Sequence, residues 1–331
     1  MRTQVEAALE RLATRLQPGG TGVAGVERLT AGASLQTWRF DVVGGEGAPR
    51  PLIMRRRVGA ETGLETALPL ASEAALLEAA AEAGAPVPKL VHLCAPEDGL
   101  DEALITERVE GETLGRRIAA GEAFAPARRV LGREAGAALA AIHAVRAPER
   151  LPIPRLTAAE TIARYADIYR GTGEPRPVLE AAIRWLQARP PPQRRPVLVH
   201  GDFRNGNLIV DPERGLAAVL DWELAHLGDP AEDIGWITVG SWRFGEVERP
   251  VGGFATLEDF LSGYTDAGGE PPTLDTIRFW RLLGSFRWGV MTRMLSTRGG
   301  DDPGSALERA VIATRLSECE VDILAAMDGA P

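Results

Sequence analysis

The chain has 331 residues, of which 45% are hydrophobic and 25% are charged, and its formal net charge is −9. This length predicts about two domains or lobes, and the composition is that of an ordinary globular protein. Negative charge without a separate lysine or arginine block argues against a nucleic-acid partner. The two cysteines, Cys94 and Cys319, lie in separate halves without a metal-type spacing or a disulfide pattern, which favours a cytoplasmic protein.

The first 20 residues are predicted to form an amphipathic helix and not a signal peptide. Four aliphatic residues recur on one helical stripe: Val5, Leu9, Leu12 and Leu16. The periodic pattern stops at a Pro-Gly pair, which ends a helix. Because no apolar run has the length of a membrane span, we expect no membrane partner.

Residues 23–109 predict strands and one helix. The segments LQTWRFDVV and PLIMRRR alternate along their length and are joined by the turn-rich GGEGAPR, so they predict a β-hairpin. ASEAALLEAAAEAG has a helical period that ends at Gly84, and KLVHLC and ALITERV are short strand candidates. We therefore expect residues 1–108 to form a strand-rich N-terminal lobe.

Helical patterns dominate from Thr113 onward. They occur in ARRVLGREAGAALAAIHAV, PVLEAAIRWLQAR, TIRFWRLLGSFRWGVMTRML and SALERAVIATRLSECEVDILAAM. The Pro-rich ARPPPQRRP is predicted to be an extended connector. Residues 109–331 are thus expected to form a larger helical lobe, and the fold class is α+β with two lobes.

A polar loop interrupts the helical half within VLVHGDFRNGNLIV, residues 197–210. VLV predicts a buried strand, and NLIV with the later LAAVLD predicts a hairpin whose second strand ends at Asp221. Asp202 and Asn207 lie in the loop, and the hairpin brings Asp221 to the same end. This set is typical of phosphoryl transfer, where a base orients the attacking hydroxyl and an amide oxygen and a carboxylate hold Mg²⁺ on the nucleotide phosphates.

HGDFRNGN, followed by LDWE, resembles the signature of the aminoglycoside phosphotransferase-like kinases, a branch of the protein-kinase-like fold. The lobe order extends the resemblance over most of the chain. The resemblance implies that Asp202 is the catalytic base and that Asn207 and Asp221 are Mg²⁺ ligands. It also implies that the crossover at residues 107–111, with Glu107 and Val109, is the hinge that hydrogen-bonds the adenine of ATP.

The segment LGDPAEDIGWITVGSWRFG resembles a subgroup of bacterial phosphotransferases and the kinase-like domains joined to some acyl-CoA dehydrogenases. This subgroup implies a small hydroxylated substrate, such as a hydroxyacyl-CoA, in preference to an antibiotic. The acceptor site is expected in the helical lobe, around four residues: Glu223, Trp242, Arg243 and Trp288. Asp301 and Asp302 are further acids that could bind a cationic substrate, although exposed acids are usually only solvated.

The phosphate-binding residues of the N-terminal lobe depart from the usual pattern of the family. By the resemblance, Arg55 falls where lysine is common, and the chain has a single lysine, Lys89. Arginine keeps the positive charge but presents a planar fork, so altered nucleotide binding is an open alternative. LTAGASLQTW, with Ser34 at its tip, occupies the place of a phosphate-covering loop, although it lacks the full glycine-rich fingerprint and an ordinary hairpin turn is the alternative.

Glu73 lies on the inward face of the predicted helix, because it precedes Leu76, Leu77 and Ala80 by three, four and seven residues. An acid on an apolar stripe requires a cationic partner, and Arg55 is the natural candidate. A solvated glutamate at the start of the helix is the alternative.

Two further expectations concern the motif. His200 is predicted to support the loop and not to transfer a proton, and Asp233 is expected, by the resemblance, to brace the catalytic loop. A zinc cluster of His200, Glu223 and His226 matches no familiar ligand spacing.

The sequence therefore predicts an ATP- and Mg²⁺-dependent kinase that phosphorylates a hydroxyl of a small molecule. A nucleotide-binding pseudokinase with a regulatory role and an aminoglycoside-type antibiotic kinase are the alternatives. A protein kinase is disfavoured because little sequence separates Asp221 from the next helix, which leaves no recognisable activation segment. The pattern carries no information on the oligomeric state.

Overall fold

The computed structural model describes residues 2–29, 35–45, 47–57, 67–297 and 303–329. Its N-terminal part contains a five-stranded antiparallel sheet in the order β1-β2-β3-β5-β4. The strands are β1 (Gly20–Leu29), β2 (Gln36–Gly44), β3 (Arg50–Arg57), β4 (Leu90–Leu93) and β5 (Glu102–Glu107). Two helices accompany the sheet: α1 (Arg2–Leu16) and α2 (Leu70–Glu82).

The first helix forms because its aliphatic stripe finds an apolar partner in the sheet. Val5, Leu9, Leu12 and Leu16 are each at most 2% exposed, and they share one cluster with Phe40 of β2 and Leu52 of β3. Full burial of one such side chain contributes about 1.5–3 kcal/mol. The predicted amphipathic helix is confirmed.

The predicted hairpin is present as the antiparallel pair β2 and β3, in a register that places Trp38 opposite Met54. Leu52 and Met54 are fully buried on one face of β3, so Arg55 lies on the opposite face, towards α2. On α2, Leu76 and Leu77 are buried in a cluster shared with the helical half of the chain. Thus α2 packs on the helical half of the chain, and Arg55 of the sheet contacts Glu73 of α2.

The C-terminal part is helical, apart from two short antiparallel ribbons. The helices are α3 (Gly115–Ala120), α4 (Ala125–His143), α5 (Ala158–Gly171), α6 (Pro177–Ala188), α7 (Ala231–Ile237), α8 (Leu257–Asp266), α9 (Leu274–Thr297) and α10 (Pro303–Asp328). The ribbons pair β6 (Val197–Val199) with β9 (His226–Gly228) and β7 (Leu208–Asp211) with β8 (Gly215–Val219).

The α+β class predicted from the sequence is confirmed by this arrangement. The sequence patterns predicted α4, α6, α9 and α10, while α5, α8 and β9 were not predicted. In chain order, β5 is the last strand of the N-terminal sheet, and it ends at Glu107. Within the described ranges, no helix combines the length and the apolar character needed to cross a bilayer.

Candidate functional site

The loop HGDFRNGN lies between β6 and β7, so one ribbon positions each of its ends. Gly201 has φ +78°, and a Cβ there would lie 2.3 Å from the Leu224 carbonyl oxygen. Only glycine accommodates both the backbone conformation and this close approach. The chain therefore turns sharply just before Asp202, whose side chain is 12% exposed.

Asp202 accepts hydrogen bonds on both carboxylate oxygens. Asn207 Nδ2 donates to Oδ2 over 2.6 Å and to the Asp202 backbone oxygen over 2.9 Å. On the other oxygen, Oδ1, Trp236 Nε1 donates over 2.8 Å and Arg204 Nε over 3.0 Å. These donors fix the orientation of the carboxylate and, because Asn207 uses its amide nitrogen, leave the amide oxygen of Asn207 for another ligand.

Asp233 braces the loop from α7, as the sequence analysis expected. Its two carboxylate oxygens accept the backbone N–H groups of His200 at 2.8 Å and Gly201 at 2.9 Å, and His143 Nε2 lies 3.2 Å away. Complete burial raises the pKa of Asp233, but the hydrogen bond from His143 and the nearby donors outweigh burial and hold the pKa below its ordinary value. A carboxylate therefore anchors the loop backbone.

His200 links the loop to the segment after β8. Its Nδ1 accepts the Asp202 N–H at 3.2 Å, so Nε2 carries the proton and donates to the Leu220 carbonyl at 3.0 Å. Burial lowers the pKa of His200, which favours this neutral form. The predicted supporting role is confirmed.

Hydrogen bonds of the imidazole nitrogens also exclude the zinc cluster. Both ring nitrogens of His200 are occupied by the protein backbone, and His226 contacts the Leu224 carbonyl at 3.0 Å and Glu232 at 3.1 Å. Neither imidazole has a nitrogen left for a metal.

Asp221 lies beside Asn207, because the Leu220 N–H donates to the Asn207 backbone oxygen at 2.8 Å. The prediction that the second strand of the hairpin ends at Asp221 is wrong by two residues: β8 ends at Val219 and Asp221 has φ +69°. The left-handed backbone turns the chain out of the ribbon. Asp221 and Asn207 together offer a carboxylate and an amide oxygen, a hard donor set that fits Mg²⁺.

Arg55 connects this end of the ribbon to the N-terminal sheet. Its Nη2 donates to Asp221 Oδ1 at 2.7 Å and its Nη1 to Glu73 Oε2 at 2.5 Å. The predicted contact between Arg55 and Glu73 is therefore present, and the alternative of a solvated Glu73 is wrong because this residue is 1% exposed.

Glu73 is a buried acid with only one of its two carboxylate oxygens paired in the described part of the chain. Among the described residues its Oε1 has no hydrogen-bond partner. Burial raises the pKa of Glu73 to about 7, against the opposing effect of Arg55. Burial alone would lower the pKa of Arg55, but the charges of Glu73 and Asp221 outweigh it, so the guanidinium stays charged.

The predicted adenine hinge follows β5. The Glu107 side chain pairs with Arg50 at 2.9 Å, and the Glu107 N–H donates to the Lys89 carbonyl at 2.9 Å. The Arg108 N–H donates to the Pro51 carbonyl, whereas the Val109 N–H has no partner in the part of the chain that the structure describes. Ser34 and the rest of the tip of the predicted phosphate-covering loop, residues 30–34, lie outside the described residues, as do Asp301 and Asp302.

An aromatic group lies against the Asp202 side of the loop. We define the tryptophan cluster as Trp236, Trp242 and Trp288, whose ring centroids are 5.3 Å and 4.8 Å apart in that order. The Arg204 guanidinium lies 4.6 Å above the Trp242 ring. Two of the expected acceptor residues, Trp242 and Trp288, are thus together near Asp202.

The other two expected acceptor residues make other contacts. Arg243 donates to the Thr238 carbonyl at 2.9 Å and so supports the local backbone. Glu223 acts electrostatically on Arg55 and Glu73, which places it on the side of the ion pair. Sequence analysis missed Trp236 as a partner of Asp202, and no local pattern marks it.

Comparisons with known proteins find similarity over most of the chain. Residues 25–279 match the model of a family described as the Phosphotransferase enzyme family. A stretch of 121 residues is 36% identical to acyl-CoA dehydrogenase family member 10 of Mus musculus, covering 34% of this chain and 11% of that relative. The chain thus spans about a tenth of the relative's length. The predicted resemblance to sequences joined to acyl-CoA dehydrogenases is confirmed.

Solved structures show the same fold. A Ralstonia eutropha protein described as an aminoglycoside phosphotransferase superposes with a TM-score of 0.71 at 24% identity, over 97% of this chain and 98% of that chain. Amicoumacin kinase, solved with AMP-PNP, Ca²⁺ and Ami, superposes with a TM-score of 0.58 at 16% identity, over 96% of each chain. The predicted protein-kinase-like fold is confirmed.

Proposed function

Since the chain belongs to the phosphotransferase enzyme family, we propose that it is an ATP- and Mg²⁺-dependent kinase that phosphorylates a hydroxyl group of a small molecule. The observation that carries the proposal is the constellation of Asp202, Asn207 and Asp221 at one end of the ribbon formed by β7 and β8. The nucleotide and divalent cation bound to the structurally similar amicoumacin kinase support the same cofactors for this chain.

The chemistry needs a base beside the acceptor. Asp202 orients the acceptor hydroxyl and takes its proton, the acceptor oxygen bonds to the γ-phosphorus, and the bond from that phosphorus to the ADP oxygen breaks. ADP leaves with the electron pair of the broken bond, and the proton passes from Asp202 to solvent. The 12% exposure of the Asp202 side chain gives a hydroxyl access to the carboxylate.

The nucleotide side of the site has its own residues. Asn207 Oδ1 and the Asp221 carboxylate would hold Mg²⁺, which when bound neutralises charge on the β- and γ-phosphates. Arg55, held between Glu73 and Asp221, supplies a fixed positive charge for the phosphates. The unpaired Val109 N–H and the Glu107 carbonyl oxygen are the proposed contacts of the adenine.

A small hydroxylated acyl-CoA-like compound is the acceptor that we favour. The support is the identity shared with acyl-CoA dehydrogenase family member 10, of which this chain spans 11%. Because this chain spans so small a share of the relative, the similarity does not imply dehydrogenase activity for this chain. A pseudokinase is disfavoured because the base and both proposed metal ligands are present.

The test is release of ADP from Mg·ATP across a panel of acceptors that includes hydroxyacyl-CoAs and aminoglycosides. Wild type and Asp202→Asn are compared with Asp211→Asn, a control that removes a carboxylate of the same ribbon at its far turn, where Asp211 pairs with Arg214. We expect acceptor-dependent release in wild type and the control and its loss in Asp202→Asn, with AMP-PNP binding retained. ATP binding without release by any acceptor would favour the pseudokinase, and no ATP binding would exclude both.

A further inference from the structure

We propose that Trp236 is a positioning residue for phosphoryl transfer, and that its indole N–H holds the Asp202 carboxylate with Oδ2 turned to the acceptor hydroxyl. The inference rests on the proposed function, because it assigns a role in the reaction that Asp202 performs.

The donors around Asp202 divide unequally between the two oxygens. A carboxylate oxygen has two lone-pair sites. On Oδ1 both are taken, by Trp236 at 2.8 Å and Arg204 at 3.0 Å, whereas Oδ2 accepts only the Asn207 amide at 2.6 Å among the described residues. The lone-pair site that remains free to accept a proton is therefore on Oδ2. By occupying a site on Oδ1, Trp236 helps to keep the free site on Oδ2.

Packing on several sides holds the ring of Trp236 in a fixed position. It is 2% exposed, and a Cβ on Gly284 of α9 would lie 3.1 Å from it, so it lies directly against the backbone of α9. Arg287 lies 4.6 Å above the ring and donates to the Gly201 carbonyl at 2.9 Å. Trp236 and Arg287 thus connect α7 and α9 to the two residues at the turn of the loop, Gly201 and Asp202.

The hydrogen bond of Trp236 is not a general property of the indoles in this chain. Five buried indole nitrogens have no hydrogen-bond partner among the described residues: those of Trp38, Trp222, Trp242, Trp280 and Trp288. An indole N–H is therefore not needed here merely to fill a core position. At position 236 the indole nitrogen donates to a carboxylate. A purely structural role of the tryptophan would not require this contact.

Trp280 provides a matched control for the test. It is 3% exposed, it packs on α7 through Gly235, where an added Cβ would lie 2.5 Å from the Trp280 side chain, and its nitrogen is unpaired in the described part of the chain. Trp236→Phe and Trp280→Phe remove the same atoms from neighbouring positions, but only the first removes a hydrogen bond to Asp202.

We expect Trp236→Phe to lower kcat about 10- to 100-fold, which is the range for losing a hydrogen bond to a charged group. The KM for the acceptor and the affinity for AMP-PNP should change by less than about threefold, because binding contacts are retained. Trp280→Phe should keep kcat within about threefold of wild type. Benzothienylalanine at position 236, which keeps the ring shape and replaces N–H by sulfur, should reproduce the loss of kcat even if phenylalanine disturbs folding.

An indole N–H resonance gives a readout that is independent of turnover. In a ¹⁵N-labelled protein, the Trp236 indole proton should resonate downfield of that of Trp280 and move upfield in Asp202→Asn, since a neutral acceptor makes a weaker hydrogen bond.

The outcomes separate the two proposals. An unchanged kcat in the benzothienylalanine protein, an equal loss at positions 236 and 280, or an indole signal insensitive to Asp202→Asn would each overturn the role of Trp236 while wild-type turnover stands. Absence of turnover in wild type with every acceptor would overturn the proposed function and the role of Trp236 with it.

Discussion

Replacement of Glu73 by glutamine should make the protein more stable relative to wild type as the pH rises. Glutamine has the same shape and keeps an oxygen for Arg55 Nη1, and Arg55 retains its second partner, Asp221, at 2.7 Å. The change therefore removes one buried negative charge with little loss of packing. The substitution tests whether burial or the ion pair with Arg55 has the larger effect on the pKa of Glu73.

The magnitude follows from the raised pKa of Glu73. Burial raises this pKa from 4.5 to about 7, so between these values the folded protein binds more protons than the unfolded chain. The stabilisation is complete below the lower pKa and is lost as the pH rises through the higher one. Each pH unit in this window changes the free energy of unfolding by about 1.36 kcal/mol, which gives a total of about 3 kcal/mol.

Urea unfolding of wild type and Glu73→Gln at pH 5, 6, 7 and 8 measures the effect. The free energy of unfolding of wild type minus that of the variant should fall by about 2 kcal/mol between pH 5 and pH 7 and level off by pH 8, because the rest of the change lies below pH 5. Glu78→Gln, on the exposed side of the same helix, controls for loss of a charge. A difference that is independent of pH would show that Glu73 is ionised throughout and that pairing with Arg55 outweighs burial.

Three further outcomes are expected. Asp221→Asn should raise the Mg²⁺ concentration for half-maximal turnover at least about tenfold, and an unchanged Mg²⁺ titration would remove Asp221 from the metal site. Gly201→Ala should destabilise the fold by about 2 kcal/mol or more in urea unfolding, because φ is +78° and the Leu224 carbonyl blocks a Cβ; a change below about 0.5 kcal/mol would contradict this. Asp233→Asn should lower the free energy of unfolding by about 2–4 kcal/mol, because one amide oxygen replaces a carboxylate that accepts two backbone N–H groups. The kcat should fall as well. Full stability with full turnover would refute the bracing role.

Local patterns in the sequence were sufficient for much of the fold. The stripe of α1 and the alternation of β2 and β3 each specify one buried face, so they predicted elements that the structure contains. The motif at Asp202 and Asn207 combines a fixed spacing with flanking apolar strands, and this placed both residues in one loop. Glu73 was predicted to contact Arg55 because an acid on an apolar helical face needs a cation nearby.

The remaining parts of the site depend on tertiary packing. Trp236 is 34 residues from Asp202 along the chain and Arg287 is 86 residues from Gly201, so no periodicity connects them. β9 has three residues and exists only because β6 is there to pair with it. The position of Asp221 beyond the end of β8 follows from a single left-handed residue, and a non-glycine residue in that region is uncommon enough that an alternating pattern does not predict it.

The arginine at position 55 bears on whether this chain has lost its nucleotide chemistry. The guanidinium uses two separate nitrogens to reach two acids, Glu73 on α2 and Asp221 beside the loop of Asp202, which lie 18 and 166 residues away along the chain. A lysine would offer the same charge from a single nitrogen, whereas the planar fork suits two carboxylates in one plane. The substitution therefore changes the geometry of the contact and preserves its charge pattern, one cation between two acids. Arginine at this position, taken alone, therefore does not argue for a pseudokinase.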